Sequence, residues 1–285
     1  MGELLTWEEK REKIQALNLT SDVFAGKVLE EPEVLEEFLN LLTGKQWHIC
    51  EVKSQYSIRQ VLGHSVVLDL FAKDTDGTRI HLELQNKDDD EHILRTRYCR
   101  ACIDTTLLDA GLKYKELSEL WQIFITQKDF LHCRKPLVWN RKRYRDGTTE
   151  IYFNLSSKDG RNIVQEKLQD YMQHTVPENE SAFFSRLVNR VHFMKNDTKG
   201  LGQMCEIFDK VRQDGIEYGR REGIEFGEQK SLTKIIFHML DLQMDSEKIS
   251  ELTGEPLSTI CKIQERYVPT GESDRVQRVV LSIKK

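Results

Sequence analysis

Asp69 stands inside an otherwise apolar run, Val66-Val67-Leu68-Asp69-Leu70, and Glu83 and Gln85 follow in the alternating segment Arg79-Ile80-His81-Leu82-Glu83-Leu84-Gln85. Between the two lies Asp74-Thr75-Asp76-Gly77, the residue types of a tight turn. With Thr75, Asp76 and Gly77 as a three-residue loop and Gly77 left-handed, Asp74 pairs with Thr78. Counting back then sets Asp69 opposite Glu83. Facing residues of a hairpin hold their Cβ atoms about 4.5–5.5 Å apart, and two carboxylates at that spacing repel unless something positive lies between them. A hard divalent cation fits: Mg²⁺, with Mn²⁺ as the alternative, takes oxygen ligands and keeps several waters for a substrate. A blander arrangement competes, in which Asp69 bonds a backbone amide or an arginine of the following helix and no metal is involved.

The elements around the pair must hold it at a sheet. Strand periodicity puts His81, Glu83 and Gln85 on one face and Leu82 and Leu84 on the other; Val67, Asp69 and Phe71 share a face of the partner strand. The spacing of Phe24, Val28, Leu35, Phe38, Leu39 and Leu42 predicts helix from Ser21 to Leu42, broken at Pro32 and ended by Gly44. Trp47–Ile58 is mixed, while His64–Lys73 and Arg79–Gln85 read as strands. Asp90–Gly111 reads as one long helix with Gly111 just past its end. Leu120–Thr126 is a nearly unbroken apolar strand, as a central strand is, and Glu150–Ser156 is another. This alternation predicts an α/β sheet layered by helices. Beyond residue 160 the pattern is helical, with helices expected at 161–174, 179–195, 202–229 and 231–243 and two short ones to about 267. The expected division is a core over 1–160, a helical extension over 161–230 and a small helical segment over 231–285.

The stretch VVLDLFAKDTDGTRIHLELQNKD resembles the core of the PD-(D/E)XK nuclease superfamily and, more narrowly, the recombination-promoting nuclease and putative transposase family. The likeness runs on through RTRYCRACIDTTLLDAGLKYKEL, WQIFIT and IYFN, takes in the first helix at Asp22-Val23-Phe24, and extends over roughly residues 20–265. It implies a restriction-endonuclease-like mixed sheet flanked by helices, with an α-helical C-terminal extension. It also implies a metal-dependent DNA endonuclease acting on double-stranded DNA, with Asp69 and Glu83 as metal ligands beside the Leu84 carbonyl and Gln85 as a third catalytic residue. Two positions depart from the superfamily pattern. Leu68 stands where the nominal proline would be, and Gln85 stands in place of the nominal lysine. A glutamine amide orients a water or bonds a phosphate oxygen but carries no charge and takes no proton. Lys87, two residues on, is a candidate substitute. Arg95 and Arg97 are candidate DNA contacts: Arg95 is placed nearest the metal edge, Arg97 is a candidate partner for an acid, and Arg100 reads as a solvated helix charge. Asp22 is either an outer acid of the site or a helix cap.

Net charge is −5, from 42 basic and 47 acidic residues, so the chain as a whole offers no basic surplus to nucleic acid. Arg134–Arg145, with six basic residues and no acid, is the local exception, and as readily a solvated loop or edge strand. No apolar run is long enough to span a bilayer, and the acidic N-terminus is not a secretory leader, which makes the cytoplasm the expected compartment. Cys99-x-x-Cys102 lacks a second pair at zinc spacing. Gly215, Gly219, Gly223 and Gly227 recur every four residues, which suggests close helix packing in a homodimer or against the body, or else a weakly ordered linker. Two short helices about Thr253-Gly254-Glu255 have a helix-turn-helix shape, more readily a helical cap than a DNA reader. Two rivals to the nuclease reading remain: a catalytically weakened DNA-binding or oligomerising protein on the same fold, and a pure interaction protein.

Overall fold

Among the described residues six strands form one mixed sheet in the order β1-β2-β3-β4-β6-β5. They are β1 (Ile49–Ile58), β2 (Val66–Asp74), β3 (Arg79–Gln85), β4 (Leu120–Thr126), β5 (Leu137–Asn140) and β6 (Thr148–Asn154). The structure is a computed structural model, and it describes residues 5–60, 64–85, 92–108, 110–129, 131, 137–140, 146–176 and 184–265. β1, β2 and β3 run antiparallel, β3, β4 and β6 run parallel, and β5 pairs antiparallel with β6 at the far edge. The apolar run Leu120–Thr126 is the central strand its sequence predicts. Ile123 and Ile125 join the larger core, while Leu120 joins the smaller one on the opposite side.

Helices close both faces. α1 (Trp7–Ala16), α2 (Asp22–Val28), α3 (Pro32–Thr43), α5 (Ile163–Gln173) and α6 (Ser185–Asn196) contribute Ile14, Phe24, Phe38, Leu168 and Leu187 to one core with Leu70, Leu82 and Leu84. α4 (His92–Leu107) lays Cys99, Cys102 and Ile103 on the other face, against Ile58, Leu68 and Phe71. Each such side chain withdrawn from water contributes roughly 1.5–3 kcal/mol. Both cysteines of the C-x-x-C thus serve as small core residues.

The helix expected over 21–42 is broken at Pro32 and ended by Gly44, at φ 70°, as its sequence predicts. Several other boundaries differ from the sequence reading. α1 was not foreseen; its signal is the capping box Thr6/Glu9. α4 stops at Leu107, short of Gly111. The helices expected at 202–229 and 231–243 are one helix, α7 (Thr198–Asp241), because no breaker separates them. Of the basic run, residues 137–140 form β5 and the remainder lies outside the described residues.

The chain divides into two compact units, residues 1–208 and 209–285, and α5 and α6 supply core to the first. In the second unit the end of α7, α8 (Ser246–Thr253) and α9 (Leu257–Gln264) bury Ile236, Ile249, Ile260 and Ile263 together. A Cβ added at Gly215, Gly219, Gly223 or Gly227 would meet no atom within 4 Å. Among the described residues, no helix is long and apolar enough to cross a membrane.

Candidate active site

The β2–β3 hairpin has the turn its residues predict. Gly77 is left-handed at φ 93° and donates its N–H to the Asp74 carbonyl, while Asp74 donates to the Thr78 carbonyl at 2.9 Å. The Asp76 carboxylate accepts the Thr78 N–H at 2.8 Å, pinning the loop. From there the ladder runs Lys73–Arg79, Phe71–His81 and Leu70–Leu82. One step further the register brings Asp69 to Glu83, and there the strands part. The Asp69 N–H points to Glu83 Oε2 at 3.4 Å instead of to a carbonyl, and Asp69 Oδ2 accepts the Leu84 N–H at 2.9 Å. The two acids come together where the sheet opens.

Their surroundings differ. Glu83 is buried, with Oε1 accepting from Arg95 Nη2 at 2.7 Å and Oε2 facing His81 Nε2 at 3.1 Å. His81 is fully buried, and its Nδ1 lies 3.4 Å from the Gln122 amide nitrogen. An amide donating to Nδ1 leaves the proton on Nε2, which then donates to Glu83; the tautomer follows from the network. Burial raises the Glu83 pKa, but the His81 hydrogen bond, Arg95 and the Asp69 N–H outweigh it and hold the carboxyl below its ordinary value. At Asp69 the Leu84 N–H and His81 act in the same lowering direction but are outweighed. Burial first, then the charge of Glu83, pushes it up to about 6, with Asp22 at the start of α2 adding to the push.

Residues 22–155 match the model of a family described as PD-(D/E)XK nuclease family transposase. Over that segment the chain is similar to this family. No curated protein and no solved structure matches it. The matched segment runs from α2 to just past β6 and so holds every candidate site residue; it ends at 155, well before the C-terminal helices. PD-(D/E)XK nucleases generally use divalent metal ions, and the donor set here suits one. Among the described residues no group of three or more His, Cys, Asp or Glu is placed to hold a metal, which leaves an all-oxygen pair. A hard ion that keeps most of its waters needs no more than one or two carboxylates, and the unrelieved repulsion at Asp69 is what such an ion would relieve.

The other candidate site residues lie elsewhere in the same region. Gln85 is buried at the end of β3, two residues beyond Glu83, paired with Thr126 of β4. Lys87 lies outside the described residues. Arg95 meets the pair, whereas Arg97 is exposed and makes no ion pair with an acid among the described residues. Arg100 is not a solvated charge, because it bonds Glu150 at 3.0 Å with both side chains largely covered.

Three residues escaped the sequence reading as site residues: His81, Gln122 and Gln55. Gln55 in β1 is one of only two non-glycine residues with positive φ among those described, at 49°, and its amide donates to Asp69 Oδ1 at 3.3 Å. The pairs Ser54–Leu70 and Tyr56–Leu68 bracket Gln55 and Asp69. Across that bracket both strands change sides: Val52, Leu70 and Ala72 face the larger core, whereas Tyr56, Ile58 and Leu68 face the smaller one. A left-handed residue costs about 1–2 kcal/mol without glycine's freedom. Gln55→Gly should therefore raise the melting temperature of the metal-free protein while weakening divalent-ion binding several-fold. Stability and affinity falling together, or affinity unchanged, would remove Gln55 from the site.

Proposed function

We propose that the chain is a metal-dependent DNA endonuclease that hydrolyses phosphodiester bonds, with Mg²⁺, or Mn²⁺ in its place, held by Asp69 and Glu83. The reading rests on one observation: two carboxylates brought together where β2 and β3 part, one held below its ordinary pKa and the other pushed up by burial and then by its neighbour's charge. Bound there, the ion would polarise the scissile phosphate and lower the pKa of an attacking water. The chain's own residues prepare the site. His81 and Gln122 fix the Glu83 carboxylate, the Leu84 N–H and Gln55 fix Asp69, and Arg95, half exposed, carries a guanidinium from Glu83 toward solvent where a phosphate arrives. Gln85, as an amide, orients a water or a phosphate oxygen. The word transposase in the matched family's description supports transposition, or recombination, as the setting that such cutting would serve.

Supercoiled plasmid incubated with Mg²⁺, Mn²⁺ or chelator tests this. Nicking should need metal and fall about 10³-fold in Glu83→Gln. Cleavage that survives chelator or the substitution contradicts it. Tight DNA binding without cleavage favours a second reading, a catalytically weakened DNA-binding protein, which the uncharged Gln85 supports. The open four-glycine face of α7 is proposed as the contact between two copies; a monomer mass independent of concentration in light scattering opposes that.

A further inference from the structure

Beside the carboxylate pair, an open cleft of about 630 Å³ lies between the start of β2 and the first turns of α4. Val66, Val67, Leu94, Arg95, Arg97 and Tyr98 line it. Its walls are apolar yet face solvent: Leu94 is 56% exposed, Val67 46% and Tyr98 38%. Exposed apolar surface gathered at one place marks a binding site more often than chance scatter does. Tyr98 is also held in place, since its hydroxyl donates to the His64 carbonyl at 2.9 Å, so its ring need not be ordered on binding. Arg95 belongs to two sites at once, lining this cleft and bonding Glu83. Val67 is two residues before Asp69 on the same strand.

Flat apolar walls, a fixed aromatic ring and two guanidinium groups, adjoining carboxylates that act on a phosphate, match one kind of ligand: a nucleotide, with its base in the cleft and its phosphates on the arginines. A continuous duplex cannot supply it, because its bases are stacked inside and only an unstacked base reaches such a pocket. We propose that the cleft takes an unpaired nucleobase next to the scissile phosphate. The preferred substrate is then duplex DNA interrupted by an unpaired nucleotide, as at a gap, flap or bulge, and not a continuous duplex. This rests on the nuclease reading above.

The test compares two short duplexes, one fully paired and one with a single unpaired 2-aminopurine, bound by the full chain with Ca²⁺ replacing Mg²⁺ to suppress cutting. The wild type should bind the interrupted duplex about tenfold more tightly and quench its fluorescence through stacking. Tyr98→Ala and Leu94→Ala should each erase most of that preference; Leu94 is exposed enough that its truncation leaves the fold intact. Equal binding of both duplexes with unchanged fluorescence, in a protein that still nicks plasmid with Mg²⁺, overturns the cleft and spares the nuclease. Failure to bind either duplex, with no nicking, overturns both.

Discussion

Asp69→Asn should lower DNA cleavage about 10³-fold or more and, in the same protein, raise the melting temperature measured in chelator at pH 8. The two effects share a cause. Asp69 ionises at about 6 in the folded chain against an ordinary value of 3.8, so folding holds its proton more tightly than the unfolded chain does. The stability this contributes is full below the unfolded value and is lost as pH rises through about 6. Above that, a largely covered carboxylate faces the charge of Glu83. A shift of about two units corresponds to at most about 3 kcal/mol, and a chain of this size gains about 2–4 °C per kcal/mol. Asparagine keeps an acceptor for the Leu84 N–H and carries no charge. The gain over wild type should therefore be largest at pH 8 and vanish near pH 4, and saturating Mg²⁺ should reverse it by stabilising the wild type alone. A variant that melts below the wild type at pH 8 in chelator would mean that Asp69 is a structural acid.

Arg95→Ala should separate binding from chemistry. Its guanidinium occupies a Glu83 oxygen at 2.7 Å and repels any cation approaching the pair. Removing it should tighten Mn²⁺ binding by a few-fold, a modest gain because the side chain is half exposed and screened. Cleavage should nonetheless fall about 10²–10³-fold, since a charge that meets the phosphate in the transition state is gone. Titration calorimetry and kcat/KM on the same preparation read both quantities. A parallel loss of metal affinity and cleavage would instead make Arg95 a prop for Glu83.

Much of this site is legible in the sequence because its turn is local. Asp74-Thr75-Asp76-Gly77 sets the loop, the loop sets the register, and the register carries Asp69 to Glu83 without reference to the rest of the chain. The apolar run Leu120–Thr126 is equally plain, since burial on both faces leaves no alternation to misread. What alternation does not convey is the point where it fails. Strict period two would put Leu68 and Leu70 on one face, yet they lie in different cores, and the residue that allows this is a glutamine on the neighbouring strand with no compositional mark of a left-handed conformation. Arg100 with Glu150 and His81 with Gln122 are contacts between elements distant in sequence, set by packing and not by spacing. α7 differs in the opposite direction, because helices expected at 202–229 and 231–243 join through Lys230 into one continuous helix that its four glycines do not interrupt.

The most direct measurement is the anomalous scattering of Mn²⁺ in crystals of this chain soaked at pH 8. The expected result is a peak at the parting of β2 and β3, in contact with one carboxylate oxygen of Asp69 and one of Glu83, and absent from Asp69→Asn crystals. A peak elsewhere, or one that persists in the variant, would contradict the proposed metal site and the hydrolytic role built on it.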